Sequence, residues 1–174
     1  MKFLTLSIFL YIFTIYISFS GEKNIILFIT DDQSPDAGCY GNKSIKMPNL
    51  DNLASDATLF TNAFATTASC SASRSVILSG LHNHLNGQYG HQHNYHKFSS
   101  FQNIQSLPVI LAKHGYRTFR IGKYHVAPEP VYRFETTLQG NSRNAVQMAK
   151  NCEELINLPF SRIGSSLFLF TSIT

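Results

Sequence analysis

Cys70 and Arg74 stand four residues apart in Ser69-Cys70-Ser71-Ala72-Ser73-Arg74, directly ahead of the apolar run Ser75-Val76-Ile77-Leu78-Ser79-Gly80. Small hydroxyl residues before such a run mark a helix start, so Cys70 is expected at a helix N-terminus. Backbone N–H groups there lack partners, and the positive end of the helix dipole stabilises an anion bound or formed at that residue. Arg74 falls on the same helical face one turn on, and its planar fork can hold a tetrahedral oxyanion through two N–H groups. A reactive group and a fixed cation would converge. The plainer reading of Cys70 is an inert, buried thiol in a small-residue turn.

Asp31-Asp32 directly follows the apolar run Asn24-Ile25-Ile26-Leu27-Phe28-Ile29-Thr30. If that run is a strand, both carboxylates lie at the carboxyl edge of a sheet, where open α/β folds place their ligands. Adjacent carboxylates repel unless a cation lies between them, and Ca²⁺, a hard ion with oxygen ligands, fits. A turn plus a helix cap is the alternative. Lys123 and His125 close another strand pattern. In extended backbone two such residues point to one side, Lys as a point charge and His as a proton carrier near neutral pH. They read equally as a solvated loop pair. His82, His84, His91, His93 and His96 form two His-x-His pairs in a polar stretch. Zinc ligation suggests itself, but that stretch holds no Cys and its spacing is irregular, so loop packing and substrate contacts are the expected roles.

These residues need a frame. The run 24–30 is β-branched and continuous, the pattern of a strand buried on both faces of a parallel sheet. A helix is expected from Pro48-Asn49 through Leu50, Leu53, Ala54 and Ala57, then an extended segment from Thr58 to Phe64, then the Cys70 helix. Residues 81–105 read as a long loop. Ser106 should cap a helix that stops at Gly115, and Tyr116 to Ile121 should be a strand. A further helix carries Ala145, Met148, Ala149, Cys152, Leu155 and Ile156 on one face, and Leu167 to Phe170 is a last strand. Strands alternating with helices predict an α/β fold with a mostly parallel sheet flanked by helices.

The chain has 174 residues, 44% hydrophobic and 14% charged, enough for one core and too apolar for disorder. Its net charge of +4 comes from scattered basic residues, which argues against nucleic acid as a partner. Lys2 followed by the apolar stretch Phe3 to Phe19 and by Ser20 before Gly21 reads as a signal peptide over residues 1–20. An uncleaved membrane anchor is the rival. The removed signal is favoured, because the polar residues 21–24 lead into a buried-strand pattern, and no stable membrane association follows once it is cleaved. The three cysteines, Cys39, Cys70 and Cys152, leave at least one unpaired in an oxidising compartment. Cys39 and Cys152 form either a pair or two free thiols. Asn42-Lys43-Ser44 is a glycosylation sequon in a turn-like stretch.

The segment Cys70-Ser-Ala-Ser-Arg74, with Leu78-Ser79-Gly80 behind it, resembles the signature of the sulfatases: Cys-x-Pro-x-Arg followed by a Thr-Gly or Ser-Gly helix end. The likeness runs from about Asn24 to Phe134. It includes Asn86-Gly87-Gln88-Tyr89-Gly90, Ser106-Leu107-Pro108 and Ile121-Gly122-Lys123-Tyr124-His125-Val126. It is strongest to members that cleave the N-linked sulfate of glucosamine in heparan sulfate. Two departures stand out. Ala72 takes the place of the Pro that the modifying enzyme reads, as it does in some bacterial members, and residues 159–166 leave the pattern.

The resemblance implies an alkaline-phosphatase-like sulfatase fold, with residues 21–174 as the N-terminal portion of a catalytic domain. It implies a formylglycine-generating enzyme as a partner, which oxidises Cys70 to formylglycine. Asp31, Asp32 and residue 70 would bind Ca²⁺, and Arg74, Lys123 and His125 would act at the sulfate. A sulfated glycosaminoglycan is the implied substrate, the lysosomal lumen or the exterior the implied location, and a homodimer the implied form at full length. A downstream Asp-Asn pair, a His and a Lys complete the family's site beyond the matched positions. The rival expectation is a truncated secreted remnant that binds sulfate or glycan without turnover.

Overall fold

The computed structural model describes residues 23–93, 95–158 and 166–173. The expected leader over 1–20 and most of the divergent 159–166 stretch lie outside them. The elements are β1 (Ile25–Thr30), a 3₁₀ turn (Gly38–Tyr40), α1 (Pro48–Asp56), α2 (Cys70–Ser79) and α3 (Asn83–Asn86), then β2 (Gln92–His93) and β3 (His96–Lys97). They continue with α4 (Leu107–Lys113), β4 (Arg117–Gly122), β5 (Thr136–Leu138), α5 (Ala145–Ile156) and β6 (Leu167–Ile173). Four strands form one sheet in the order β1-β6-β4-β5, every neighbouring pair parallel. The fold is the α/β architecture the pattern predicts, a parallel sheet with helices on both faces.

β6 is the axis of the sheet. Phe168 lies beside Ile25 of β1 and Thr118 of β4. The strand period of two sends its side chains alternately to two cores. Phe168 and Phe170 pack with Leu78, Val126, Val131, Tyr132 and Phe134 on the face covered by α2 and α4. Leu167 and Leu169 pack with Phe119, Ile121, Met148 and Leu155 beneath α5. Fully burying a side chain of this size contributes about 1.5–3 kcal/mol, so the apolar run of β6 anchors both layers.

Several expectations are corrected. β1 forms where expected, yet it pairs only with β6 among the described residues, and its outer face is open: Ile26 is 53% and Phe28 59% exposed. Leu27 and Ile29 do reach the first core, whereas α5 stands over β4 and β6 and leaves a groove against Ile26 and Phe28. On α5, Met148 and Leu155 are buried, while Ala145, Ala149 and Ile156 of the expected apolar face line that groove. Thr58 to Phe64 joins no sheet, and Phe60 and Phe64 are exposed. The expected long loop contains α3 and the β2–β3 hairpin, and β5 has no counterpart in the sequence reading. Cys39, Cys70 and Cys152 are all free, the second of the two options left open for Cys39 and Cys152.

Candidate active site

Cys70 is the first residue of α2, as its setting predicts. The N-cap, Ser69, does not cap through its side chain; its Oγ lies 3.5 Å from Nδ1 of His91. The first backbone bond of the helix runs from Ser73 N to Ser69 O at 2.7 Å. Residue 72 therefore sits among the donors without an intrahelical partner, where Pro costs no hydrogen bond. One backbone thus suits both Ala72 and the Pro of the family signature.

Arg74 is buried one turn later and forms the hub of the site. Its Nη2 donates to Asp31 Oδ1 at 3.1 Å and to Ser172 Oγ at 2.8 Å, and its Nη1 donates to Lys123 O at 2.9 Å. Lys123 Nζ donates to the other oxygen of Asp31 at 2.5 Å. Burial pushes the Asp31 carboxyl up, but the hydrogen bonds and charges of Lys123 and Arg74 outweigh it and hold the group below its ordinary value. Three predicted residues from β1, α2 and the end of β4 thus meet directly.

The turn after β4 depends on Gly122. Its φ of +84° is left-handed, and a Cβ there would lie 2.0 Å from Ser172 O. The chain leaves the strand at this point, so Lys123 and His125 do not share a side through strand alternation; His125 has φ +57°. Asp32, with φ +52°, is the other non-glycine residue of this kind among the described residues. Both outliers are therefore predicted site residues, and strained backbone of this sort collects at functional sites. Asp32 is exposed and makes no side-chain hydrogen bond or ion pair among the described residues.

A second cluster joins two histidines of the expected loop to Cys70 and His125, a convergence the sequence does not show. His91 Nδ1 lies 3.6 Å from Cys70 Sγ, and His93 Nδ1 lies 2.8 Å from His125 Nε2. The ring of His93 packs on those of His91 and His125, at centroid separations of 4.9 and 5.0 Å. Burial first, then the charge of Lys123 and the neighbouring His93, His91 and Arg74, push the His125 pKa down to about 4, so the ring is neutral near pH 7. His82 and His84 stack on each other in and beside α3 and take no part in this cluster.

Two amides, Asn86 buried and Asn83 half-buried, position the loop that carries these rings. Asn86 Nδ2 donates to Ser75 Oγ at 3.1 Å, Ser79 Oγ at 3.2 Å and Leu81 O at 3.1 Å, while its Oδ1 accepts from Gln88 N at 2.8 Å. Asn83 Nδ2 donates to Ala72 O at 3.0 Å and to Gln88 O at 2.7 Å. Ser71 Oγ accepts from Gln92 N at 3.1 Å. The loop is thereby clamped along α2, with His91 over Cys70. Sequence reasoning missed Ser71, Asn83, Asn86 and Ser172, and it named His91 and His93 without joining them to Cys70 and His125; the Ser71, Ser75 and Ser79 spacing along one helix was the available signal.

Chemically, a tetrahedral anion at the N-terminus of α2 would meet unpaired backbone N–H groups beside two cations. Asp31 and Asp32 offer hard oxygen donors that suit Ca²⁺ in kind. In number they supply one side of a shell that takes about six to eight oxygens, and no third His, Cys, Asp or Glu converges with them among the described residues.

Comparison with known proteins agrees with this geometry. Residues 23–159 match the sulfatase family. Human N-sulphoglucosamine sulphohydrolase is 42% identical over 129 residues, 74% of this chain and 26% of that protein. An ulvan-active sulfatase of Formosa agariphila is 38% identical over 117 residues, 67% and 22% of the two chains. The crystal structure of a putative sulfatase from Bacteroides thetaiotaomicron superposes with a TM-score of 0.71 at 16% identity, covering 87% of this chain and 35% of that one, a likeness of fold. The chain spans about a quarter of the length of these curated relatives. With the matched stretch running from β1 through α5 and taking in every site residue expected from the sequence, the chain belongs to the sulfatase family.

Proposed function

We propose that residues 21–174 are the N-terminal portion of a sulfohydrolase catalytic domain, which in its full form removes N-linked sulfate from glucosamine residues of heparan sulfate. The observation that carries this reading is Arg74, held between Asp31, Ser172 and the Lys123 backbone one turn from Cys70. The choice of sulfamate follows the similarity to the human sulphohydrolase.

Formylglycine formed from Cys70 would supply, as its hydrate, an oxygen nucleophile for sulfur, and Asp31, Asp32 and residue 70 would hold Ca²⁺, which offsets negative charge. The chain's own residues do the rest. Arg74 and Lys123 face the sulfate with positive charge, with the N–H groups opening α2 beside them. Asp31 fixes both cations in place, so they need little reorganisation as charge builds. Neutral His125 can accept a proton, and its Nε2 contact with His93 orients the ring. Passage through the secretory pathway, toward the lysosome or the exterior, goes with the sequon at Asn42. There Oδ1 accepts from Ser44 N at 2.8 Å and Ile45 N at 3.1 Å in a local turn.

In a full-length form, Cys70→Ala should abolish sulfate release from an N-sulfated glucosamine saccharide, and retained turnover would overturn the proposal. The mass of the peptide holding Cys70, from protein made in its own cells, tests the modification independently. An aldehyde supports the hydrolase. An intact thiol favours a second reading, a secreted protein that binds sulfate or glycan without turnover.

A further inference from the structure

We propose that the chain with Cys70 in its thiol form carries a site for a divalent ion of the zinc class, built by Cys70, His91 and His125 with His93 behind them. The inference concerns the unconverted residue and does not rest on the hydrolase reading. Ligand atoms of these three side chains all lie within 4.8 Å of one another, the one such group among the described residues. Zn–S and Zn–N bonds of about 2.3 and 2.0–2.1 Å place S and N ligands of a tetrahedral ion about 3.6 Å apart. The Cys70 Sγ to His91 Nδ1 separation is 3.6 Å.

The surroundings resemble those of bound metal ions. A ligating imidazole usually gives its second nitrogen to a partner that fixes the ring. His125 Nε2 faces His93 Nδ1 at 2.8 Å, while His125 Nδ1 is buried with no hydrogen-bond partner. Thiolate and imidazole prefer a borderline-soft ion, so this set selects a different metal from the hard Asp31-Asp32 carboxylates. Asp31 offsets one of the two positive charges of Arg74 and Lys123, which reduces their repulsion of a cation. Three protein ligands leave the fourth position to water or an anion. On binding, the Cys70 thiol gives its proton to solvent. The loop whose histidines lacked a cysteine in the sequence finds one across the fold.

The test is titration of the whole 174-residue chain, its Cys70 confirmed as a thiol by mass, with Co²⁺ and then Zn²⁺. One equivalent of Co²⁺ should give tetrahedral visible bands with a thiolate-to-cobalt charge-transfer band in the near ultraviolet, and Zn²⁺ should displace it. Cys70→Ser should remove the charge-transfer band. His91→Ala and His125→Ala should each weaken binding at least about tenfold, and His93→Ala by about tenfold, as for an outer partner. Cys39→Ser, Cys152→Ser and His84→Ala should leave both band and affinity unchanged. An octahedral spectrum without the sulfur band in the unmutated chain would overturn the site whether or not any variant folds. So would full binding by Cys70→Ser, or equal weakening by His84→Ala.

Discussion

The two sides of β6 differ in how their structure is held. Toward α2, aromatic packing is joined by buried amide and hydroxyl groups, so α2, the loop after it and the end of β4 are tied to single positions. Toward α5, contact is mainly apolar, with few side-chain hydrogen bonds such as Asn151 Nδ2 to Gln139 O, and it stops short of Ile26 and Phe28, which are left in an open groove. Directional bonds fix a register that apolar contact alone leaves adjustable. The site therefore lies on the side where geometry is over-determined.

The largest break in this contrast should come from Arg74→Ala, which leaves Asp31 with Lys123 as its only cation. A loss of about 3 kcal/mol or more in urea unfolding is expected, and Arg74→Lys should recover little of it because one ammonium cannot reach Asp31, Ser172 and the Lys123 carbonyl together. Next, Asn86→Ala strips partners from Ser75, Ser79, Leu81 and Gln88 and should cost about 2–3 kcal/mol; an effect below half of that would place the amides outside the framework.

Acid gives a smaller and more diagnostic effect. The native His125 ring resists protonation down to about pH 4, whereas the unfolded ring titrates near 6.5. The unfolded state then binds more protons between those values, so stability should fall as pH drops from about 6.5 to about 4. His125→Asn, which tolerates the left-handed backbone, should flatten that segment of a plot of melting temperature against pH. The contribution of Asp31, whose native carboxyl lies below 3.8, should be lost only under more acid conditions. The smallest effect is expected from Phe28→Thr on the open face, within about 0.5 kcal/mol. A loss several times larger would mean that this face is covered in solution, and the contrast between the two sides would fail.

The sequence makes the local half of this arrangement legible. Cys70 and Arg74 share a helix face because four residues make one turn, and Asp31 lies past β1 because an apolar run must end where polar residues begin. Lys123 was placed at the site for a partly wrong reason, since Gly122 ends the strand before it. Asn86 and Ser172 are opaque, and His91 and His93 are visible only as a histidine-rich stretch, because their partners lie across the fold, which no period of 2 or 3.6 encodes. The outer face of β1 was misjudged for a related reason: composition reports that a strand suits burial, not whether the neighbouring elements reach it.

The position of β6 also sets an order of assembly. It is the last described strand in the chain yet lies between β1 and β4, and Asn24 Oδ1 accepts from Leu167 N at 2.9 Å while Ser172 Oγ accepts from Arg74 across 98 residues of sequence. Closing so long a loop carries an entropy cost that must be met before its contacts return anything. A nascent chain that has emerged only as far as α5 would hold the cysteine helix and the Asp31 strand without the strand that pairs with both β1 and β4 and without Ser172, which accepts from Arg74. The anion-facing charges take their full set of partners once β6 slides between β1 and β4, so this part of the fold closes late in the synthesis of the described residues.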